Sequence, residues 1–110
     1  MIIDQKGNIT IVTQEKATTI ELVKKLSALY PRYKNNNVII NLTSLNKITL
    51  EEIVEFLQIS NTHRANKHSF VIVSNKVDLD EVPDELVVVP TLQEGYDIIE
   101  MEEMERDLGF

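Results

Sequence analysis

Three short runs of branched apolar residues interrupt an otherwise polar chain: Val38 to Leu42, Phe70 to Val73 and Leu86 to Val89. Each is rich in Val or Ile, bounded by polar residues and too short for a helix, which predicts strands covered on both faces. Nearer the start, Ile9-Thr10-Ile11-Val12-Thr13 alternates as a half-buried strand does. Ile2-Ile3 lies across the Lys6-Gly7-Asn8 turn from it and is predicted to pair with it as a hairpin.

Between these runs the apolar spacing lengthens to that of helices, and each helical pattern opens on a Thr followed three positions later by a Glu. In Thr18-Thr19-Ile20-Glu21, Thr49-Leu50-Glu51-Glu52 and Thr91-Leu92-Gln93-Glu94 the hydroxyl can accept from the backbone N–H at the third helical position while the carboxylate reaches back. Three capping boxes thus predict three helix starts. The first helix carries Leu22, Leu26, Leu29 and Tyr33 on one face, widened by Val23 and Tyr30, with Pro31 expected to end or kink it near Tyr30. The second runs from Leu50 through Ile53, Val54, Phe56, Leu57 and Ile59, then turns polar from Asn61 to Lys67. The third is predicted to bury Leu92, Tyr96 and Ile99 and to end in the acidic stretch from Glu100 to Asp107, where Met101 and Met104 either extend that core stripe, the favoured reading, or form an adaptable partner-binding helix. Between Asn75 and Glu85 there is room only for a short helix or turn, closed by Pro83.

Strands that alternate with helices imply parallel pairing through crossover connections. The expected architecture is α/β: a mixed, mostly parallel sheet of about five strands with an N-terminal hairpin and three main helices. At 110 residues the chain has the length of one domain, 1–110, with no repeat or low-complexity linker.

Charge changes the picture at one end. Residues 1–76 carry ten Lys/Arg and six Asp/Glu, whereas residues 77–110 carry one Arg and twelve Asp/Glu. The acidic third opposes phosphate backbones, so nucleic acid is not expected as a direct ligand, while a partner with a basic surface would suit it. There is no cysteine, which excludes disulfides, thiolate nucleophiles and sulfur-bound metals. The N-terminus shows no basic stretch followed by an apolar core, and no apolar run approaches bilayer length, so the chain is expected to be cytoplasmic and unanchored.

Catalytic chemistry is hard to assemble from what remains. Gly7, Gly95 and Gly109 form no phosphate-cradling loop after a strand, which removes the Rossmann and P-loop readings. No Gly-x-Ser-x-Gly elbow occurs. His63 and His68 lack carboxylates at ligand spacing and are read as a solvated helix end. The acidic run Asp78-Leu79-Asp80-Glu81 with Asp84 and Glu85 lacks the glycine and spacing of an EF-hand and is read as a solvent-facing turn. No cofactor, no metal and no enzyme activity are expected.

From Asn37 to Glu100 the arrangement resembles the STAS (anti-sigma-factor-antagonist) family. In that family a buried strand passes through a loop into a helix in a pattern like strand-Asp-Leu-Ser-x-x-x-x-Ile-Asp-Ser-x-Gly, and the Ser at the helix start is phosphorylated by a partner kinase. Val38-Ile39-Ile40-Asn41-Leu42-Thr43-Ser44-Leu45-Asn46-Lys47-Ile48-Thr49-Leu50-Glu51-Glu52 has the same spacing. Thr49 stands where the family has Asp, Leu50 where it has the acceptor Ser, and Glu52 where it has Gly. The resemblance implies a non-catalytic regulatory module that binds another protein through Thr43, Ser44, Asn46, Thr49, Leu50 and Glu51, without the usual serine switch. Leu50 is either an exposed apolar anchor or ordinary core; the sequence leaves both open.

A second reading takes the chain as an accessory subunit or genomic partner of an enzyme. Its acidic C-terminus is similar to that of bacterial chains labelled ribonuclease Z, an RNA-processing nuclease. That family needs a His-x-His-x-Asp-His cluster with further ligands, which two histidines do not supply, so the metal site would lie elsewhere.

Overall fold

A computed structural model describes residues 1–16 and 18–109. Five strands, β1 (Ile2–Lys6), β2 (Ile9–Thr13), β3 (Asn37–Asn41), β4 (Phe70–Val73) and β5 (Val87–Val89), form one sheet in the order β1-β2-β3-β4-β5. β1 pairs antiparallel with β2 through the predicted hairpin, Ile3 opposite Val12, and every later pairing is parallel. Gly7 occupies φ +60 in the hairpin turn, a backbone region that costs glycine nothing.

The helices are α1 (Thr19–Tyr33), α2 (Leu50–Val54), α3 (Leu57–Ala65) and α4 (Leu92–Asp107), with a 3-10 turn at Leu79–Glu81 ahead of Pro83. Because strand residues alternate faces, the central β3 feeds two cores. Val38 and Ile40 join Val12, Phe70 and Ile72 beneath Leu22 and Leu26 of α1, Ile53 of α2 and Ile59 of α3. Ile39 turns the other way, packing with Ile11, Val71, Val73 and Val89 against Ile99 of α4. This two-sided cover is why β3 reads as an unbroken apolar run.

Gly95 lets α4 sit low on the sheet. A Cβ there would meet Val73 Cγ2 at 3.4 Å and Ile39 Cδ1 at 3.5 Å, ordinary contact distances that leave room for nothing larger.

All three threonine caps form, with Thr18, Thr49 and Thr91 accepting from the N–H of Glu21, Glu52 and Glu94. The reciprocal bond of a full capping box is made at Thr49.

Several expectations need correction. Of the two outcomes expected of Pro31, termination is overturned, because α1 continues through it to Tyr33. A proline two residues from the end removes the bond to a single upstream carbonyl, that of the exposed Ser27. Beyond it Tyr33 is buried, and its hydroxyl donates to the Leu26 carbonyl at 2.6 Å.

The second predicted helix is two. The Phe56 N–H donates to the Ile53 carbonyl at 3.1 Å, a three-residue step that tightens the chain between α2 and α3. Ile53, Phe56 and Ile59 are three apart, and a 3-10-like turn keeps residues at that spacing on one side, here against the sheet.

Of the three residues predicted to be buried on α4, Leu92 and Tyr96 are half-buried and Ile99 is wholly covered. Met101 and Met104 do not extend the core stripe: they stand 49% and 60% exposed, because the inward side of the last two turns is taken by Glu102, Glu103 and Arg106. His63 is no solvated helix end either, being completely buried.

Candidate functional site

The segment joining β3 to α2 is held by alternating anchors. Leu42 and Ile48 are buried and Leu45 packs against the core, while Ser44, Asn46, Lys47 and Thr49 point to solvent. Asn41 sets the exit from the strand: its Oδ1 accepts from the Thr43 N–H at 3.2 Å and the Thr43 hydroxyl at 2.8 Å, the local bonding that suits Asn to turns. The Leu45 N–H then donates to the Leu42 carbonyl at 3.1 Å, closing the turn.

At the start of α2 the Thr49 hydroxyl is fully engaged. It accepts from the Glu52 N–H at 3.2 Å and donates to Glu52 Oε1 at 3.2 Å, while the same oxygen accepts from the Thr49 N–H at 3.0 Å. Glu52 Oε2 accepts from the Thr19 hydroxyl at 3.3 Å, tying the start of α2 to the start of α1. Leu50 is half-buried, between the two alternatives left open by the sequence, and Glu51 is exposed. Thr43, Ser44, Asn46, Thr49, Leu50 and Glu51 therefore lie along one short, bonded segment beyond the carboxyl end of the central strand. Loops after the other parallel strands, at Gln14, Ser74 and Pro90, open at the same end of the sheet.

At the opposite end is a polar cluster with no local sequence signal. His63 Nε2 donates to the Asn36 carbonyl at 2.7 Å. Nδ1 is then the acceptor, meeting the Tyr30 hydroxyl at 3.0 Å, and that hydroxyl accepts in turn from Asn66 Nδ2 at 2.9 Å. Tyr33 and Phe70 meet the imidazole edge-on and His68 stacks on it. Burial pushes the His63 pKa down to about 4, with the Asn36 carbonyl opposing and the neighbouring His68 and Arg64 charges reinforcing the shift. Burial, aided by Tyr30, raises that of Tyr33. With both ring nitrogens occupied and the imidazole sealed from solvent, the cluster fastens α1, α3 and the chain leading into β3 together and offers no open acid or base.

A second, half-buried polar set fastens α4. Asn37 Nδ2 donates to Glu103, which also accepts from Asn8 Nδ2 at 2.7 Å. Arg106 reaches Asn37 Oδ1 at 3.3 Å and Ser69 Oγ at 3.2 Å, and Arg64 pairs with Glu102 at 3.1 Å. Among the described residues no group of three or more His, Cys, Asp or Glu is placed to hold a metal ion, and no helix is long and apolar enough to cross a membrane.

Solved structures place this architecture. The chain is similar to RsbS of Moorella thermoacetica, solved as a serine-to-glutamate variant, with a TM-score of 0.65 and 15% identity over 96% of this chain and 97% of that one. It is likewise similar to a chain from a structure described as the molecular architecture of the stressosome, a signal integration and transduction hub, with a TM-score of 0.59 and 15% identity over 90% and 96% of the two chains. Both are STAS-domain proteins, and the chain has the STAS fold. No family model matches the sequence, and no curated protein matches it significantly.

Proposed function

We propose that the chain is a non-catalytic, cytoplasmic regulatory module of the anti-sigma-factor-antagonist kind. It binds another protein through the segment from Thr43 to Glu51 and works without a serine phospho-switch. The observation that carries this is the start of α2. Leu50 stands at the position of the family's acceptor serine, and the neighbouring Thr49 hydroxyl is spent on the reciprocal bonds with Glu52. A phosphate on Thr49 would break that cap and face the carboxylates of Glu51 and Glu52. The neighbouring RsbS and stressosome folds support a regulatory role, and the second of these belongs to an assembly described as a signalling hub.

The partner contact is therefore fixed, a half-buried apolar Leu50 on the same segment as the exposed polar groups of Ser44, Asn46, Thr49 and Glu51. Quantitative affinity capture from the native cells tests it. Leu50→Asp should reduce the co-purified partner by about 2 kcal/mol of binding, roughly thirtyfold, with melting unchanged, while Lys25→Asp on α1 should not. Equal capture by both variants, or phosphate on Thr49 in protein from those cells, would contradict the reading.

A further inference from the structure

The outward side of α4, across the sheet from the proposed contact segment, has a composition that the core does not explain. Met101, Met104 and Leu108 follow one another at three and four residues, so they share one side of the helix. They are 49%, 60% and 72% exposed. The inward side is occupied by Ile99 in the core and by Glu102, Glu103 and Arg106 in bonds to Arg64, Asn8, Asn37 and Ser69. The outer stripe contributes nothing to that packing.

Its surroundings carry one sign of charge. Glu94, Asp97, Glu100, Glu105 and Asp107 are all exposed around it. The helix has a single cation, Arg106, and it is turned inward. At the upstream end a shallow depression of about 220 Å³ opens between Val89, Ile98 and Met101, with Glu94 and Asp97 beside it. It has room for one large apolar side chain. Methionines, unbranched and polarisable, adapt to whatever apolar surface is laid on them.

We propose that this face is a docking surface for a basic amphipathic helix of a partner protein. Leucine-like side chains would lie along Met101, Met104 and Leu108, one of them entering the depression by Val89, while lysines or arginines would meet the flanking carboxylates. Charge selects this occupant over the others. A second copy of the same face would set acid against acid, and an anionic membrane or nucleic acid would be repelled by the same residues. The site is separate from the β3–α2 segment, so either can fail alone.

The chain's three methionines, Met1, Met101 and Met104, make ¹³C-methyl NMR a direct reporter. The probe is a synthetic Leu/Lys peptide of about four helical turns with its leucines on one face. Its comparators are a scrambled peptide of the same composition and a version with Glu in place of Lys. The amphipathic peptide should give saturable shifts of the Met101 and Met104 methyls with Met1 unmoved. Both comparators should bind about tenfold or more weakly. The double variant Met101→Lys, Met104→Lys should lose binding while keeping its melting temperature, since both side chains lie outside the core. Equal affinity for the scrambled peptide would overturn the proposal by reducing the effect to charge alone. So would equal shifts at Met1, or concentration-dependent shifts at Met101 and Met104 without peptide, which would assign the face to self-association.

Discussion

His63 is neutral in the folded chain because both ring nitrogens are already bonded and no water reaches the imidazole. Protonation would place a hydrogen on Nδ1 opposite a Tyr30 hydroxyl that now donates to it, and a charge beside Arg64 and His68. The folded pKa of about 4 lies below the ordinary 6.5, so the unfolded chain binds the proton more readily. The stability this group contributes is therefore fully present above pH 6.5 and is lost as pH falls toward 4. The full loss is about 3 kcal/mol. Urea unfolding at stepped pH should show the wild type losing more stability across that window than His63→Gln, which cannot titrate. Identical pH profiles would show that His63 is not the acid-sensitive group. Gly95 makes a second test at this scale. Its hypothetical Cβ finds only ordinary contacts, so Gly95→Ala should gain up to about 1 kcal/mol from helix propensity. Gly95→Val should lose stability by pushing α4 off Val73 and Ile39, and thermal melting distinguishes the two.

At the scale of elements, what could be read in the sequence is what has a local cause. The strand runs and the hairpin turn are set by side-chain branching and by Gly7, and they fold where the pattern places them, within a residue at the ends of β3 and β5. The threonine caps mark helix starts for the same reason, and Thr49→Ala should cost about 1 kcal/mol by freeing the N–H of Glu52. Chemical denaturation would measure it, and no loss would mean the cap adds nothing to the native fold. Features set by packing at a distance were not legible. The break between α2 and α3 depends on Ile53, Phe56 and Ile59 reaching the sheet, and their spacing fits either one helix or two. The burial of His63 depends on Tyr30 and Asn36, far away in the chain. On α4, apolar residues occur on both sides, so periodicity alone could not choose between Ile99 and the methionines as the inner face. The candidate segment was legible as a strand, loop and cap, whereas the half-burial of Leu50 and the bond from Thr19 to Glu52 were not.

For the whole molecule, the central strand joins two cores, so damage to it is felt on both sides of the sheet. Ile40 is wholly buried under the helices of one face, and Ile40→Ala should cost about 2 to 5 kcal/mol through the cavity it leaves. An unchanged unfolding midpoint would be incompatible with that packing. The same sheet separates two surfaces of different character: the polar segment around Leu50 at the carboxyl end of β3, and the acid-flanked methionine stripe on the back of α4. The first of these is the proposed seat of a regulatory partner. A photo-crosslinking amino acid placed at Asn46 in the native cells, with a control at the likewise exposed Lys25 on α1, probes that contact. A discrete adduct is expected from Asn46, absent from Lys25 and lost in the Leu50→Asp background. No adduct at Asn46, or the same adduct from both positions, would contradict it.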